Sequence, residues 1–412
     1  MKKKEILTIP ITDIAYGGKG IARKADGKVI FVPHTLTGEI VEITIKRQFT
    51  DYDEGEIVKI VKPSPKRIQS NCMVYAGTDV MGKIHYTRTP GCVYQDFSYS
   101  EELNTKEKQF TNFLNEFCDN FLPTIQSPKQ LHYRNKIILH AMNDHGDITL
   151  GYREEKGSDV IDIKQCPLAK DEINEKLQEI RNKQGFFSSL HDGMTLTLRK
   201  DQNQVNWWRN APSQKASWLK EQTIIGSMSV PMGGFFQINN DVTDILIEKV
   251  IEAIKAFAPK SLIDLYCGCG LFSLAAYAAG VNKISGIDCV EQAIAAAQYN
   301  AKQHNIPSAI FTANSADKGF ESLMEQHEKN FNTKISDTVL IVDPPRNGMG
   351  RNVRKLIRKT DFKGIIYISC APDTLRRDLK ILRSTGYVVK SAQMFDMFPR
   401  TAHFESMVVL ER

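Results

Sequence analysis

A cysteine, two aspartates at strand ends and a glutamate near residue 405 stand where a chain of this pattern can do chemistry. Cys370 lies in Ser369-Cys370-Ala371-Pro372, closing the apolar run GIIYIS ahead of a helical pattern. A thiol before a helix N-terminus, with Arg376 and Arg377 one turn on, is placed to ionise and act as a nucleophile. A free cysteine is otherwise a small core residue, a role that suits the open end of a strand poorly. Residues 264–270, DLYCGCG, form a second strand end, and their glycines let backbone approach a ligand. Asp288 ends the next strand, 20 positions after Gly268, where a carboxylate accepts hydrogen bonds from ribose hydroxyls. A dinucleotide site prefers a third glycine at the helix start, but Phe272-Ser273 stands there. That favours a nucleoside ligand without a pyrophosphate, such as S-adenosylmethionine. Asp343-Pro344-Pro345-Arg346 makes a rigid, extended turn that presents a carboxylate. Glu405 enters the last apolar run and is a candidate general base; on its own it reads rather as a surface glutamate.

The elements that must position these groups are legible over 230–412. Val242, Leu246, Val250 and Ile254 share one face of a helix predicted at 241–257. Strand and helix then alternate, and SLIDLY, TVLIVD and GIIYIS are nearly continuous in apolar residues, as strands covered on both faces require. This predicts a doubly wound, Rossmann-like sheet, whose ligands sit at the carboxyl ends of its strands. Residues 66–225 read as a mixed α+β domain, with helices near 101–118 and 171–184 and strands near 133–141, 147–153, 159–163 and 193–199. Residues 1–62 read as all-β. Several short Ile- and Val-rich strands, with a tight turn at Asp26-Gly27, fit a small closed barrel of the oligonucleotide-binding kind. Lys62-Pro63-Ser64-Pro65-Lys66 reads as a linker.

Composition excludes some classes. With 42% hydrophobic and 25% charged residues and no run of 18 apolar residues, the 412-residue chain reads as globular, without a membrane span. The N-terminal MKKKEILTIP lacks a signal peptide's apolar core, so a cytoplasmic location is expected. Eight scattered cysteines in a reducing compartment are thiols, ligands or nucleophiles, not disulfides. Residues 1–70 carry 13 Lys/Arg against 9 Asp/Glu, a modest surplus that suits a polyanion or a merely solvated surface.

Four motifs in order, DLYCGCG at 264–270, IVDPPRNG at 341–348, YISCAPDTLRRDL at 367–379 and MFPRTAHFESMVVLER at 397–412, give the chain a resemblance to a known family. It resembles the S-adenosylmethionine-dependent RNA uridine-5-methyltransferases, in particular the branch with an N-terminal TRAM domain acting on 23S ribosomal RNA. The resemblance covers essentially the whole chain. It implies a TRAM barrel at 1–62, a central domain at 66–225 and a methyltransferase domain at 230–412. It implies Cys370 as nucleophile, Glu405 as base, and cofactor contacts from Gln237, Tyr266, Asp288 and Asp343. Family members usually carry Glu at the position of Asp288. The implied partner is RNA, ribosomal by analogy with transfer RNA as the alternative; no protein partner is implied.

Many relatives hold an iron–sulfur cluster on four cysteines. Cys72, Cys92 and Cys166 match three of those places, while Thr89 replaces the fourth. No metal is therefore expected, with His85 the only nearby substitute.

The chemistry implied is covalent. Carbon 5 of uracil is a weak nucleophile, and addition of a thiolate to carbon 6 makes it enolate-like. A base must later remove the carbon 5 proton. An amino-methyltransferase would need neither Cys370 nor Glu405, and a DNA cytosine-5 enzyme typically shows Pro-Cys where this chain has Ser369-Cys370. A purely RNA-binding protein would have no use for the nucleophile. A uridine inside a helix must be flipped out to react; Trp207-Trp208-Arg209 offers one aromatic and basic cluster for holding RNA, although core packing accounts for it better.

Overall fold

The computed structural model describes residues 5–70, 72, 91–154, 159–212 and 217–412. They fall into two compact units that interleave along the chain. One comprises 1–109, 129–198 and 398–403, the other 110–128, 199–397 and 404–412. The division at 1–62, 66–225 and 230–412 is kept as a proposal about folding pieces.

In the first unit, β1 (Ile6–Pro10), β2 (Asp13–Ile14), β3 (Gly20–Arg23), β4 (Val29–Val32), β5 (Ile40–Gln48) and β6 (Tyr52–Lys62) form one sheet. Their order is β1-β5-β6-β4-β3-β2. β1 and β2, consecutive pieces of one bent segment, are the two outer strands, and the sheet curls as a half-barrel. Alternation along the strands sends Ile9, Ile30, Val32, Val41 and Ile43 inward, joined by Ile11, Ile14 and Leu36. Two carboxylates are buried as well. Glu39 accepts from the Arg67 guanidinium at 2.7 Å and from the Leu36 amide at 2.9 Å. Asp53 is held by Lys24 and Lys28, whose hydrogen bonds keep its carboxyl below the usual range. Buried charges persist only when paired in this way.

The unit continues into α1 (Tyr99–Leu114), β7 (Lys136–Asp144), β8 (Asp147–Arg153), β9 (Val160–Asp162), α2 (Asp171–Arg181) and β10 (Thr195–Lys200). The strands lie in the order β10-β7-β8-β9. These elements fall where the periodicity predicts them. Lys106 and Glu102 form a fully buried pair at 2.7 Å on α1. Glu102 also accepts from the Arg400 amide at 2.7 Å, and Lys106 donates to the Phe398 carbonyl at 3.2 Å. The loop 398–403 is thereby fastened to this unit.

The second unit opens with β11 (Val205–Arg209) and a hairpin of β12 (Trp218–Thr223) and β13 (Gly226–Pro231). Within β11, Trp208 is buried and Trp207 is exposed, so the tryptophan pair divides between core and surface. Then come α3 (Asn240–Phe257), β14 (Ser261–Leu265), α4 (Leu271–Ala278), β15 (Ile284–Asp288), α5 (Glu291–Gln303) and β16 (Ile310–Ala313). The unit ends with α6 (Ala316–Phe331), β17 (Thr338–Val342), α7 (Arg351–Ile357), β18 (Gly364–Ser369), α8 (Pro372–Arg383), β19 (Val388–Phe395) and β20 (Glu405–Glu411). Asn239 caps α3 by accepting from the Val242 amide, as residues of its type do at helix starts.

The seven strands run β16-β15-β14-β17-β18-β20-β19. The first five pair in parallel, and β20 is antiparallel to both of its neighbours. Every residue of β14, β17 and β18 is buried, which is why those strands are nearly continuously apolar. The order reverses between β14 and β17, and at that switch point the strand ends leave room for a ligand. Among the described residues no helix is long and apolar enough to cross a membrane.

Candidate active site

The carboxyl ends of β14, β15, β17 and β18 deliver Tyr266, Asp288, Asp343 and Cys370 to one edge of the sheet. After β14 the chain turns sharply. Tyr266 holds a φ of 65°, and Gly268 and Gly270 have φ of 52° and 89°. Glycine adopts such left-handed angles at no steric cost, and a Cβ at Gly268 would meet nothing within 4 Å, so the loop leaves open space above itself. Asp288 fastens this loop: its carboxylate accepts from the Gly268 amide at 3.0 Å and from the Val290 amide at 2.9 Å. The Tyr266 hydroxyl accepts from the Gly350 amide at 3.3 Å.

Cys370 and Glu405 are brought side by side by strand register. Ser369 of β18 pairs with Ser406 of β20, and the next residues along that antiparallel pair are Cys370 and Glu405. The Ser406 hydroxyl donates to the Ser369 carbonyl at 2.9 Å and locks the register. Cys370 is half-buried, whereas Glu405 is only 3% exposed. Among the described residues the Oε1 of Glu405 and the Oδ1 of Asp264 have no hydrogen-bond partner, although both are buried. Such atoms suit a cavity that a polar ligand fills.

Burial dominates the electrostatics. It raises Glu405 well above the usual carboxylate range, and Asp343 pushes it further while Arg346 opposes. Asp343 is pushed up to about 7 by burial and by Asp264 and Asp288. Asp264 likewise rises to about 7 by burial, against its hydrogen bond from Ser273. The Cys370 thiol is pushed up to about 12 by burial, then by Glu405 and Asp343, with Arg346 acting against them. This edge is therefore short of positive charge.

The expectation that Arg376 and Arg377 stabilise the thiolate is corrected here. Arg376 donates to Glu116 at 2.6 Å, and Arg377 donates to Asp378 and to the Asn347 carbonyl, each at 2.9 Å. Both guanidinium groups are thus engaged elsewhere, and the cation that acts on Cys370 and Glu405 is Arg346. Its only signal in the sequence is its place directly after the two prolines.

Asp378 is a second residue that the sequence reading passes over. It is fully buried and accepts from the Tyr367 hydroxyl and the Met349 amide, both at 2.8 Å. The Thr374 hydroxyl donates to the Arg346 carbonyl at 3.0 Å. Together these bonds fix the 343–350 loop against α8. Gln237 is buried in the segment that leads into α3, two residues after Phe235, which is 74% exposed.

The N-terminal part of the chain, residues 2–58, matches the TRAM domain, and residues 217–412 match the tRNA (uracil-5-)-methyltransferase family. Residues 217–412 thus belong with the tRNA (uracil-5-)-methyltransferase family, and relatives named for RNA uracil-5-methylation align along the whole chain. A 23S rRNA (uracil(1939)-C(5))-methyltransferase of Francisella tularensis is 28% identical, covering 100% of this chain and 98% of that protein. A tRNA (uracil(54)-C(5))-methyltransferase of Schizosaccharomyces pombe is also 28% identical, covering 98% of this chain and 78% of its own length. The crystal structure of the Pyrococcus abyssi tRNA (uracil-54, C5)-methyltransferase in complex with S-adenosyl-L-homocysteine has a TM-score of 0.73 at 22% identity. It covers 98% of this chain and 100% of its own. That likeness shows a shared fold. The family uses S-adenosylmethionine, and the open, carboxylate-lined loop after β14 fits a cationic nucleoside.

The cysteines of the N-terminal unit form a separate group. Burial pushes the Cys92 thiol up to about 12, with Cys166 and Cys72 near enough to add to it and Arg134 opposing. Thr89 and His85 lie outside the described residues. Among those described, no three His, Cys, Asp or Glu side chains are grouped to hold a metal ion. Three thiolates fall one short of the shell that such clusters take. Protein purified without oxygen is therefore expected to carry no stoichiometric iron and sulfide. About four irons per chain, lost on Cys92→Ser, would contradict this.

Proposed function

We propose that this enzyme methylates carbon 5 of a uridine in 23S ribosomal RNA through a covalent bond between Cys370 and carbon 6. The juxtaposition of Cys370 and Glu405 across β18 and β20, beside a cluster of carboxylates, carries the reading. Cys370, once deprotonated, adds to carbon 6, and the carbon 5–carbon 6 π electrons shift toward carbon 5 and its carbonyl. The cofactor, when bound, would supply an electrophilic methyl group, taken up by carbon 5 as the methyl–sulfonium bond breaks to leave a neutral thioether. Glu405 then removes the carbon 5 proton, the double bond re-forms, and the carbon 6–sulfur bond breaks to return the thiolate. Arg346 is the cation that offsets the negative charge passing through this edge. Gln237, Tyr266, Asp288 and Asp343 are proposed to hold the cofactor. The location proposed is the cytoplasm, where the eight free thiols stay reduced.

The end-to-end match with ribosomal RNA enzymes supports the ribosomal substrate. Transfer RNA is the second reading, favoured by the fold match with the Pyrococcus enzyme, which takes in the N-terminal barrel as well. Mapping 5-methyluridine in ribosomal and transfer RNA from cells with and without the gene separates them. Loss of one 23S site with transfer RNA unchanged is expected; loss from transfer RNA alone would overturn the ribosomal assignment.

The carboxylate cluster predicts a pH dependence for the cofactor. Asp343 and Asp264, each pushed up to about 7, are largely protonated below that pH and ionised above it. A sulfonium cation binds the ionised form better, so its affinity should fall as pH drops below 7, by at most about tenfold per unit for each proton displaced. S-adenosylhomocysteine is an uncharged thioether and should respond far less. Calorimetric titration of both ligands on either side of neutrality is the check, and parallel pH profiles would contradict the proposal.

A further inference from the structure

The positive charge of this chain is concentrated in one stretch of the methyltransferase unit. Residues 344–390 hold 12 Lys/Arg against 3 Asp/Glu, a surplus greater than the +6 of the whole chain. Part of that charge is neutralised locally. Arg354 and Arg377 pair with Asp378, Arg376 and Lys380 with Glu116, and Lys390 with Glu411. Arg351, Lys355, Arg358 and Lys359 are different. All four are exposed, and among the described residues none of their side chains has an ion-pair or hydrogen-bond partner.

Their spacing gathers them on one side of α7. Positions 351, 355 and 358 are i, i+4 and i+7, with 359 beside the last, while Val353 and Ile357 face the core. At about 1.5 Å of rise per residue, the ridge is roughly 10 Å long. Helix stability does not account for it. Arg358 and Lys359 sit where a helix dipole favours cations, but Arg351 occupies the first turn, where the dipole disfavours them. Like charges one turn apart also repel.

The ridge is rigidly joined to the reactive edge. Asp317 accepts from the Asn352 and Val353 amides at 3.1 Å each, and the Arg354 guanidinium donates to the Met349 carbonyl at 2.5 Å. The loop so fixed begins at Asp343 and carries Arg346. From these observations we infer that the exposed face of α7 is a phosphate-binding ridge, gripping the RNA backbone next to the target uridine. The inference rests on the RNA-methylating reading above. Unpaired cations at a fixed spacing, leading away from the reactive edge, complement a polyanion that runs past it.

The test uses the full chain and a fluorescein-labelled oligouridylate, because backbone contacts are independent of sequence. In the triple variant Arg351→Ala, Lys355→Ala, Arg358→Ala, affinity at low salt should fall at least about tenfold. The slope of log affinity against log salt should shrink by about 2, since each phosphate contact on a single strand contributes about 0.7. A control triple, Lys255→Ala, Lys302→Ala, Lys329→Ala, removes the same charge from exposed positions elsewhere in the unit. It should leave the slope nearly unchanged. S-adenosylhomocysteine affinity and melting temperature should match the unsubstituted protein in both. Equal slopes for the ridge and control variants would overturn the proposal. Methyl transfer by the unsubstituted protein to unmodified RNA separates the two readings. An active enzyme whose salt slope ignores the ridge variant disproves the ridge alone; an inactive one whose slope responds disproves the function alone.

Discussion

Cys370→Ala is expected to lower methyl transfer by a factor on the order of 10⁴ or more while leaving cofactor affinity within about twofold. The thiol is half-buried at the end of β18, and burial, then its neighbours Glu405 and Asp343, push it up to about 12. An alanine of similar girth leaves the strand register intact, because the lock is the Ser406 to Ser369 bond one residue earlier. A loss confined to turnover is thus a statement about chemistry and not about folding. Single-turnover methylation of unmodified RNA, with cofactor binding measured alongside, decides it. Activity within about tenfold of normal would dismiss the covalent route.

Glu405→Gln should stall the reaction one step later. Glutamine keeps the volume and one acceptor but takes up no proton, so the adduct methylated at carbon 5 cannot eliminate. Most of the enzyme should then become joined to RNA through Cys370 within one turnover. Denaturing electrophoresis and mass spectrometry will read this as a protein–RNA species carrying one extra methyl group. The high position of Glu405 sharpens the expectation. Burial, then Asp343, raise its carboxyl, so once ionised it holds strongly a proton taken from carbon 5. Full turnover by Glu405→Gln without a trapped species would hand proton removal to Asp343 or another group.

How much of this was legible in the sequence depends on what each element buries. β14, β17 and β18 announce themselves because every side chain is covered, so all but a few, Asp264 among them, are apolar. The strand-end residues follow from that, since a polar residue that closes a wholly apolar run has few other places to be. β12 is opaque for the opposite reason. Its Glu221 is buried, but on an ion pair with Arg199 at 2.7 Å, so WLKEQT has the polarity of a surface strand. Glu39 and Asp53 hide inside the barrel in the same way. Arg346 and Asp378 are invisible for another reason. Their roles depend on which of several nearby arginines is already occupied, and only tertiary structure decides that. A helical arginine one turn from a cysteine looks like its partner until Glu116 claims it.

The strand order carries a consequence for how the molecule is made. β20 lies between β18 and β19, yet it follows both in the chain. Until it arrives, β19 has no strand to pair with and β18 presents an open, wholly apolar edge of the kind that recruits other chains. A polypeptide halted before Glu405 would therefore be both without its proposed base and prone to aggregate. Seven residues complete the sheet and bring in the proposed base together. Assembly of the reactive edge is thus coupled to the last strand insertion, and a partly built sheet cannot be a partly active enzyme.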